Sequence, residues 1–379
     1  MGPRKNTSQK VWSHNSESGF TLIELMVALL VGLLISAAIV KVYVDTTRVY
    51  RWQGALSQVQ ENGRFAAEFL RRDVRLAGNF GCDSSKVPSV HNQTPPTFVV
   101  NNQTQPIGGT DGTGMNSDIL ILRGAIGMAV DVTSPEMTKT SDDISVKKGS
   151  GLCDPTCTRA NRFALVSDCD SADIFGVSGA TLGGKNTKDT LQHASGTVNT
   201  QAELSKSYVT GFQVFPRVQM LRETHYCIGR AEAWTAANGI MALKRLINPT
   251  AAQNCSAHGE ELVEGIHNLQ VVYGENTKIS QCQAAAVESN KAAPTRYIPG
   301  PPANTNLTWC NVVSVRIQLL SRSLSGNITS DPVPYVLNGT TITPQDSYLR
   351  KVFTNTCLLY TSDAADERSS VDLGGRRII

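Results

Sequence analysis

A single carboxylate, Glu24, lies within a long apolar run near the amino terminus. The run covers residues 20–40 and is otherwise interrupted by Thr21, Gly32 and Ser36. Its length is close to the roughly 20 residues that cross a bilayer as a helix. A carboxylate at the centre of such a helix would cost at least about 2.5–3.5 kcal/mol. Glu24 lies only one turn from the start of the run, where the positive end of the helix dipole lowers that cost.

The bond between Gly19 and Phe20 suits a proteolytic cut. Residues 1–19 are polar and basic, whereas the segment behind them is apolar. A secretory signal has the opposite order, with its cleavage site after the apolar region. A cut here would leave the helix on the mature chain, with a new α-amino group on Phe20. That amine could pair with Glu24 of a neighbouring chain and fix the register of the two helices. The alternative is an interfacial Glu24 without a partner.

The junction GFTLIELMVALLVG resembles the class III leader junction of type IV pilins and type II secretion pseudopilins. The shared features are a glycine before the cut, an aromatic first residue, a glutamate at the fifth mature position and an uninterrupted apolar helix. The resemblance implies that prepilin peptidase cleaves after Gly19 and methylates the amine of Phe20. It also implies that Glu24 contacts the amino terminus of the next subunit.

Residues 41–77 are predicted to continue the helix beyond the membrane. Apolar residues recur there at steps of three and four, which indicates an amphipathic helix packed on the protein's own core. Arg71, Arg72 and Asp73 could form a polar belt where the helix meets the domain, although such residues are more typical of a solvated face. The predicted apolar stripe comprises Val49, Trp52, Leu56, Val59, Gly63, Ala66 and Phe69.

Residues 78–356 are predicted to form a β-rich domain with long loops, including irregular loops at 108–116 and 294–306. Short apolar runs alternate there with Gly, Asn, Asp and Ser clusters. The fold class is therefore α+β, with one long amino-terminal helix and a mainly antiparallel sheet. The predicted strands are 97–100, 118–122, 128–132, 162–166, 173–177, 208–214, 225–228, 240–246, 266–273 and 312–320.

Four stretches also resemble the PilW subfamily of minor pilins. They lie at 62–82 (NGRFAAEFLRRDVRLAGNFGC), 118–123 (DILILR), 166–175 (VSDCDSADIF) and 261–274 (ELVEGIHNLQVVYG). Together with the amino terminus they extend the resemblance over most of the chain, strongly only in patches. The resemblance implies a pilin-like fold and a role in pilus assembly.

The carboxyl-terminal segment 357–379 has a different character from the rest of the chain. Residues 357–367, CLLYTSDAADE, resemble an in-frame translation of a sequencing-library transposon adapter, and residues 371–379 resemble the flow-cell end of the same adapter. We therefore expect this segment to be an artefact and the natural carboxyl terminus to be missing.

Cysteines are the other residues with evident chemistry. The chain has nine, and setting aside Cys357 leaves an even number, as expected of disulfides in an exported domain. Zinc is the alternative, but no CxxC occurs and His225 near Cys227 is the one close His–Cys pair. The disulfide candidates are Cys82, Cys153, Cys157, Cys169, Cys227, Cys255, Cys282 and Cys310.

Catalytic and metal-binding motifs find no support in the sequence. No GxSxG, HExxH, P-loop or GxGxxG pattern occurs, so we expect neither an enzyme nor a cofactor. Asp168, Asp170 and Asp173 could bind calcium, but they lack the order of a dedicated loop and favour a hydrogen-bonded turn. A net charge of +3 gives no reason to expect direct binding to nucleic acid.

The sequence thus predicts a minor pilin that primes or enters a type IV pilus and so serves motility, adhesion or DNA uptake. Its expected partners are other minor and major pilins, prepilin peptidase, the inner-membrane assembly platform and the lipid bilayer. The basic leader predicts a cytoplasmic amino terminus and a periplasmic domain, followed by passage into the filament. Two alternatives stay open: a J-type minor pseudopilin of type II secretion, and a periplasmic enzyme on an uncleaved signal anchor.

Overall fold

The computed structural model describes the helix and most of the β-rich domain. The fold comprises two compact units, Met1–Gly54 and Ala55–Ile379. The described residues are 19–78, 99–100, 103–104, 106–112, 116–134, 137–147, 152, 163–168, 171–181, 188–196, 199, 201–211, 215–250, 252–278, 293–301, 307 and 309–359.

The helix α1 runs without a break from Leu22 to Leu76. Its sequence contains no proline, which explains how the apolar run and the amphipathic stretch join into one element. The helix stops just before Gly78, which adopts φ +83°. Only glycine enters that left-handed conformation without strain, and it commonly ends helices.

The remaining elements are short helices and eighteen described strands, all numbered in chain order. Two short helices are α2, Cys255–His258, and a 3₁₀ turn at Trp309–Asn311. The strands are β1 Val99–Val100, β2 Gln103–Thr104, β3 Ile107–Thr110, β4 Ile119–Asp131, β5 Ile144–Val146, β6 Phe163–Ser167, β7 Ala172–Gly176, β8 Gly179–Thr181, β9 Asp189–Gln192, β10 Arg217–Arg230, β11 Met241–Ile247, β12 Glu260–Glu264, β13 Ile266–Glu275, β14 Arg296–Pro299, β15 Val312–Arg322, β16 Tyr335–Leu337, β17 Thr340–Ile342 and β18 Arg350–Leu358.

Two antiparallel sheets dominate the domain, which confirms the predicted α+β class. The larger sheet has the order β12-β11-β10-β4-β3, and β6 pairs with the first half of β10 and brings β7 with it. The second sheet has the order β14-β13-β15-β18. Three smaller sheets, β5-β9-β8, β1-β2 and β16-β17, complete the described strands.

The main core lies where the second half of α1 meets both large sheets. Small and branched side chains of the helix pack there against aliphatic residues of the strands. The helix contributes Ala66, Leu70 and Val74, and the turn after it contributes Ala77; the first sheet contributes Ile107, Leu120, Leu122, Tyr226, Ile228, Leu243 and Val263; and the second contributes Ile266, Leu269, Val271, Tyr273, Val315, Ile317 and Leu319.

The predicted apolar stripe of the helix is right in its middle and wrong at both ends. Val59, Gly63 and Ala66 are buried as expected, but the stripe continues through Leu70 and Val74. Phe69, Trp52 and Val49 are instead exposed. After Ala66 a helix can continue the same face at a step of three or four. The packing selects the step of four.

Several predicted loops and strands differ in the structure. The expected loop at 108–116 begins with β3, and the loop at 294–306 contains β14. Residues 208–210 form no strand, although Tyr208 is buried. The predicted strands 118–122 and 128–132 are parts of the single strand β4.

The last strand continues beyond the boundary that the sequence predicts for natural protein. β18 pairs with β15 as far as Leu358, and both Cys357 and Leu359 are buried. Cys357 and Leu358 are residue types that suit a strand, so pairing here does not depend on their origin. Residues 360–379 lie outside the described part of the chain.

Candidate functional site: the processed amino terminus and its domain

The predicted cleavage bond lies outside regular secondary structure. Gly19 and Phe20 precede α1, and both are exposed, with 92% of Phe20 accessible. No heavy atom lies within 4 Å of the position that a Cβ on Gly19 would occupy. An exposed bond outside regular secondary structure, next to a residue without a side chain, is a suitable substrate for a protease.

Glu24 forms a reciprocal cap with Thr21 at the start of α1. The backbone N–H and the hydroxyl of Thr21 each donate to Glu24 Oε2 at 2.9 Å, and the Glu24 N–H donates to Thr21 Oγ1 at 3.3 Å. This is the T-x-x-E capping box, which satisfies backbone donors that the first turn leaves open. Sequence reasoning missed the role of Thr21, although the spacing of the two residues signals it.

The cap uses only one oxygen of Glu24. Oε1 has no hydrogen-bond partner among the residues that the structure describes. The carboxylate is therefore held in position by its own chain and still presents one oxygen outward. Such a group can accept a cation from another chain without losing its cap.

The apolar surface behind Glu24 has no protein cover. α1 is long and apolar enough to cross a membrane, and its most apolar 18-residue window is entirely exposed. The exposed large side chains of this part are Leu22, Ile23, Leu25, Met26, Val27, Leu29, Leu30, Val31, Leu33, Leu34, Ile35, Ile39, Val40, Val42, Tyr43 and Val44. A surface of this size requires lipid or other apolar helices.

In the domain, backbone-directed bonds attach the second half of α1 to both sheets. The Ser321 hydroxyl donates to the Val59 carbonyl oxygen at 3.1 Å, and the Asn62 amide donates to the Glu264 carbonyl oxygen at 3.1 Å. Between them the Phe353 ring lies directly over Gly63, where a Cβ would come within 2.0 Å of the ring. Gly63 is thus needed for a close approach, not for flexibility.

Asp73 anchors the last turns of α1 to strand β10. It accepts a hydrogen bond from the Tyr226 hydroxyl, and Arg222 lies 3.7 Å from the same carboxylate. Burial raises the pKa of Tyr226, and the carboxylate of Asp73 raises it further, so the phenol remains a donor at neutral pH. Arg71 pairs with Glu68 on the outer face, whereas Arg72 is exposed. The three residues therefore do not form one belt.

A buried ion pair lies beside this contact. Arg123 donates to Glu223 at 2.6 Å, and His225 Nε2 lies 2.7 Å from the other carboxylate oxygen of Glu223. Burial alone would raise the pKa of Glu223, but the hydrogen bond with His225 and the charge of Arg123 lower it below its usual value. Breaking one partner of such a pair strands the other charge in the interior.

A disulfide in the described region joins two of the candidate cysteines, Cys227 of β10 and Cys255 of α2. This pairing confirms that the domain contains a disulfide. The His225–Cys227 pair, which was the zinc candidate, is occupied otherwise, because Cys227 is in the disulfide and His225 contacts Glu223. Cys310 lies in the 3₁₀ turn, and Cys357 is a buried free thiol. The other candidates, Cys82, Cys153, Cys157, Cys169 and Cys282, lie outside the described residues.

The aspartates considered for calcium have other partners. Asp168 accepts from the Ser171 N–H at 3.1 Å and pairs with Lys206. Asp173 accepts from Ser205 and, at 3.0 Å, from the Tyr208 hydroxyl. Asp170 lies outside the described residues. Among the residues that are described, no group of three His, Cys, Asp or Glu side chains could hold a metal ion.

Two protein-family models match separate segments of the chain. Residues 14–40 match the prokaryotic N-terminal methylation motif, and residues 225–360 match the type IV pilus-assembly protein W family, PilW. The chain carries a PilW domain behind a prepilin methylation motif, and the two matches support a minor-pilin role in a type IV pilus. No curated protein and no solved structure matches it.

The family matches agree with the geometry of this minor pilin. The methylation motif spans Gly19, Phe20 and the Thr21–Glu24 cap, and the PilW match spans the disulfide and all four strands of the second sheet. The matches support a type IV pilus role and favour neither the secretion pseudopilin nor the anchored enzyme. The PilW family is a pilus-assembly component.

Proposed function

We propose that residues 1–19 are a leader that prepilin peptidase removes after Gly19, and that the new amine of Phe20 is methylated. The observation that supports this most directly is the exposed Gly19–Phe20 bond immediately before a capped apolar helix. Residues 20–40 then hold the chain in the inner membrane, and residues 41–77 continue the helix to the β-rich domain at 78–356. The basic leader favours a cytoplasmic start and a periplasmic domain.

Glu24 then serves as the register group for assembly. Thr21 fixes its carboxylate through Oε2, while Oε1 faces outward and can accept the methylated amine of a neighbouring subunit. An ion pair that forms only between chains at one lengthwise offset would select that offset over its neighbours. The helix surface around it supplies the apolar contact area.

The role of the chain is structural rather than catalytic. It joins other minor and major pilins at the inner-membrane assembly platform, enters or primes the filament and so reaches the cell surface. No cofactor is required for that role. The support is the exposed assembly helix together with a buried Arg123–Glu223 pair whose charges neutralise each other within the domain.

The test separates the charge of Glu24 from its capping function. Glu24→Gln keeps a capping acceptor at the same position but cannot form the ion pair. We expect it to insert and be cleaved normally, yet to fall at least about tenfold in sheared filaments, equivalent to about 1.4 kcal/mol. Glu61→Gln, an exposed glutamate of the same helix, is the matched control and should assemble normally. Normal incorporation of Glu24→Gln would refute the register role.

The tail at 357–379 remains a separate proposal, namely that it derives from a sequencing adapter. Sequencing genomic DNA across the codon for Thr356 with an independent library tests it. Recovery of the same downstream codons would show that the segment is natural.

A further inference from the structure

A cleft of about 290 Å³ lies between the last turns of α1 and the middle of β4. Its walls combine exposed apolar side chains, Leu76 and Ile126, with arginines from three elements. The lining residues are Arg72, Asp73, Leu76, Ala77, Leu122, Arg123, Gly124, Ala125, Ile126, Gly127, Arg222 and Thr224.

One wall of the cleft is the outer edge of strand β4. The Arg123 N–H donates to the Pro106 carbonyl oxygen at 2.8 Å, and the Gly78 N–H donates to the Arg123 carbonyl oxygen at 2.9 Å. The backbone groups of Arg123 therefore point away from β10. Because groups alternate along a strand, those of Ala125 point the same way.

Among the described strands, none pairs with β4 at Ala125. β3 covers β4 only from Ile119 to Leu122, and the next contact on this edge is the bridge from Val132 to Val146. The regular edge ends at Ile126. Between Ile126 and Val130 the pairing with β10 shifts in register, and Gly127 adopts φ +74° there. The stretch without a described strand partner is therefore short, is centred on the largely buried Ala125, and would hold an extended segment of only a few residues.

The charges around this edge do not balance. Arg123 is neutralised by Glu223 at 2.6 Å, and Arg222 shares Asp73 with the Tyr226 hydroxyl. Arg72 is exposed and has no partner among the residues that the structure describes. Among the described residues the cleft therefore presents one unmatched guanidinium beside a strand edge that no described strand pairs, together with two exposed apolar side chains. A segment that fits it needs a carboxylate next to an apolar residue.

We propose that this cleft, which we call the β4 cleft, docks a short extended acidic segment of a neighbouring pilus subunit of a different kind. Backbone groups of the segment pair with Ala125, its carboxylate binds Arg72, and an apolar side chain contacts Leu76 and Ile126. A strand added to an open edge gains affinity from main-chain bonds and specificity from alternate side chains. The inference rests on the proposed incorporation into a pilus.

The charge argues against a second copy of this chain as the occupant. A two-fold contact places the same patch on both partners. It would bring one Arg72 towards the other at an edge that already lacks an anion. Like charges brought together at an interface are unfavourable.

The test is site-specific photocrosslinking of the full chain in piliated cells. A benzoylphenylalanine replaces Ile126, and a second variant carries it at Val336, an exposed apolar residue of β16, as the position control. The account expects an adduct at position 126 whose second peptide, identified by mass spectrometry, belongs to another pilus subunit and contains an acidic residue. The Val336 variant should not yield that peptide.

Charge reversal tests the role of Arg72 in the same assay. Arg72→Glu should lower the yield of the adduct at position 126 by about fivefold or more, because it places like charges together. Arg75→Glu, an exposed arginine of the same helix that does not line the cleft, should change the yield by less than about twofold.

Other outcomes overturn the proposal. They are an adduct only with lipid, with a second copy of this chain or with the chain's own residues, no adduct at position 126, or a yield that Arg72→Glu leaves unchanged. Cleavage after Gly19 and recovery of the chain in filaments are measured in the same samples. If both are normal and the expected adduct is absent, only the docking inference fails; if both are lost, the proposed function fails.

Discussion

The two parts of α1 are continuous in backbone and opposite in surroundings. From Leu22 to Gly54 no residue is buried, whereas the part from Ala55 to Leu76 buries Val59, Gly63, Ala66, Leu70 and Val74. The first part exposes large apolar side chains on all sides, and the second places small residues against two sheets. A helix that is apolar all round requires an apolar environment from outside the chain. The second part finds that environment within its own domain.

This difference shows how one element serves two purposes. The second part fixes the helix to the domain by packing and by bonds to the Val59 carbonyl oxygen and from the Asn62 amide. The first part presents its exposed apolar surface to lipid or to other apolar helices. Mutations in the first part should therefore affect insertion and assembly, and mutations in the second should affect the stability of the fold.

The largest expected effect comes from a charge in the middle of the membrane segment. Leu30 and Val49 are both exposed, at 63% and 53%, but only Leu30 lies within residues 20–40. Leu30→Arg should cost about 2.5–3.5 kcal/mol in the bilayer and strongly reduce the chain recovered in the membrane fraction. Val49→Arg is the control and should fractionate as wild type. Equal behaviour of the two variants would mean that the first part does not cross the membrane.

A smaller effect is expected where the second part packs. Gly63→Ala places a methyl group within 2.0 Å of the Phe353 ring and should lower the free energy of unfolding by about 1–3 kcal/mol. Gly54→Ala has open space around it and should instead raise helix stability by about 0.5–1 kcal/mol. Denaturant unfolding of the detergent-solubilised chain measures both. A neutral Gly63→Ala would contradict the close contact of the helix with the second sheet.

The smallest expected effect concerns pH and is confined to the domain. Burial lowers the pKa of His267 to about 3, and the charges of Arg322 and Arg350 contribute to this shift. Because the unfolded state takes up the proton near pH 6.5, stability contributed by neutral His267 is present above that pH and falls as the pH drops below it. His267→Gln keeps an acceptor for the Met241 N–H but does not titrate.

The variant should therefore lose less stability than wild type between pH 7 and pH 5. Asp118 provides an internal check, because burial raises the pKa of its carboxyl to about 6 and its protonation stabilises the fold as the pH falls below that value. In His267→Gln the stability should thus hold or rise from pH 6 to pH 5. Denaturation midpoints at several pH values measure this, and parallel curves for the two proteins would count against a buried neutral His267.

Local signals in the sequence predicted the helix and the fold class, whereas the cleavage junction stays a prediction. The apolar run, the absence of proline and the glycine at position 78 act over a few residues and need no knowledge of distant parts. Sequence reasoning erred where packing decides. The predicted apolar stripe placed Phe69 on the buried face. In the structure the helix packs closely against Phe353 at Gly63, and Leu70 is buried instead.

The same limit explains the errors in the sheet. The sequence predicted separate strands at 118–122 and 128–132, but β10 pairs on both sides of an irregular stretch between Ile126 and Val130 and makes them the single strand β4. Tyr208 was predicted to lie in a strand. It is instead buried outside any strand, where its hydroxyl donates a hydrogen bond to Asp173. The spacing of Thr21 and Glu24 is that of a capping box. Glu24 was assigned only a partner in another subunit, and its hydrogen bond with Thr21, three residues away, was not predicted.

Mass spectrometry of the amino terminus, on chain purified from membranes of cells that contain prepilin peptidase, tests the central claim most directly. The account predicts a mature chain that begins at Phe20 with one methyl group on its amine. Cells without the peptidase should yield the full leader. A chain that still begins at Met1 in peptidase-positive cells would contradict the account, because the amine that Glu24 is positioned to accept would never form.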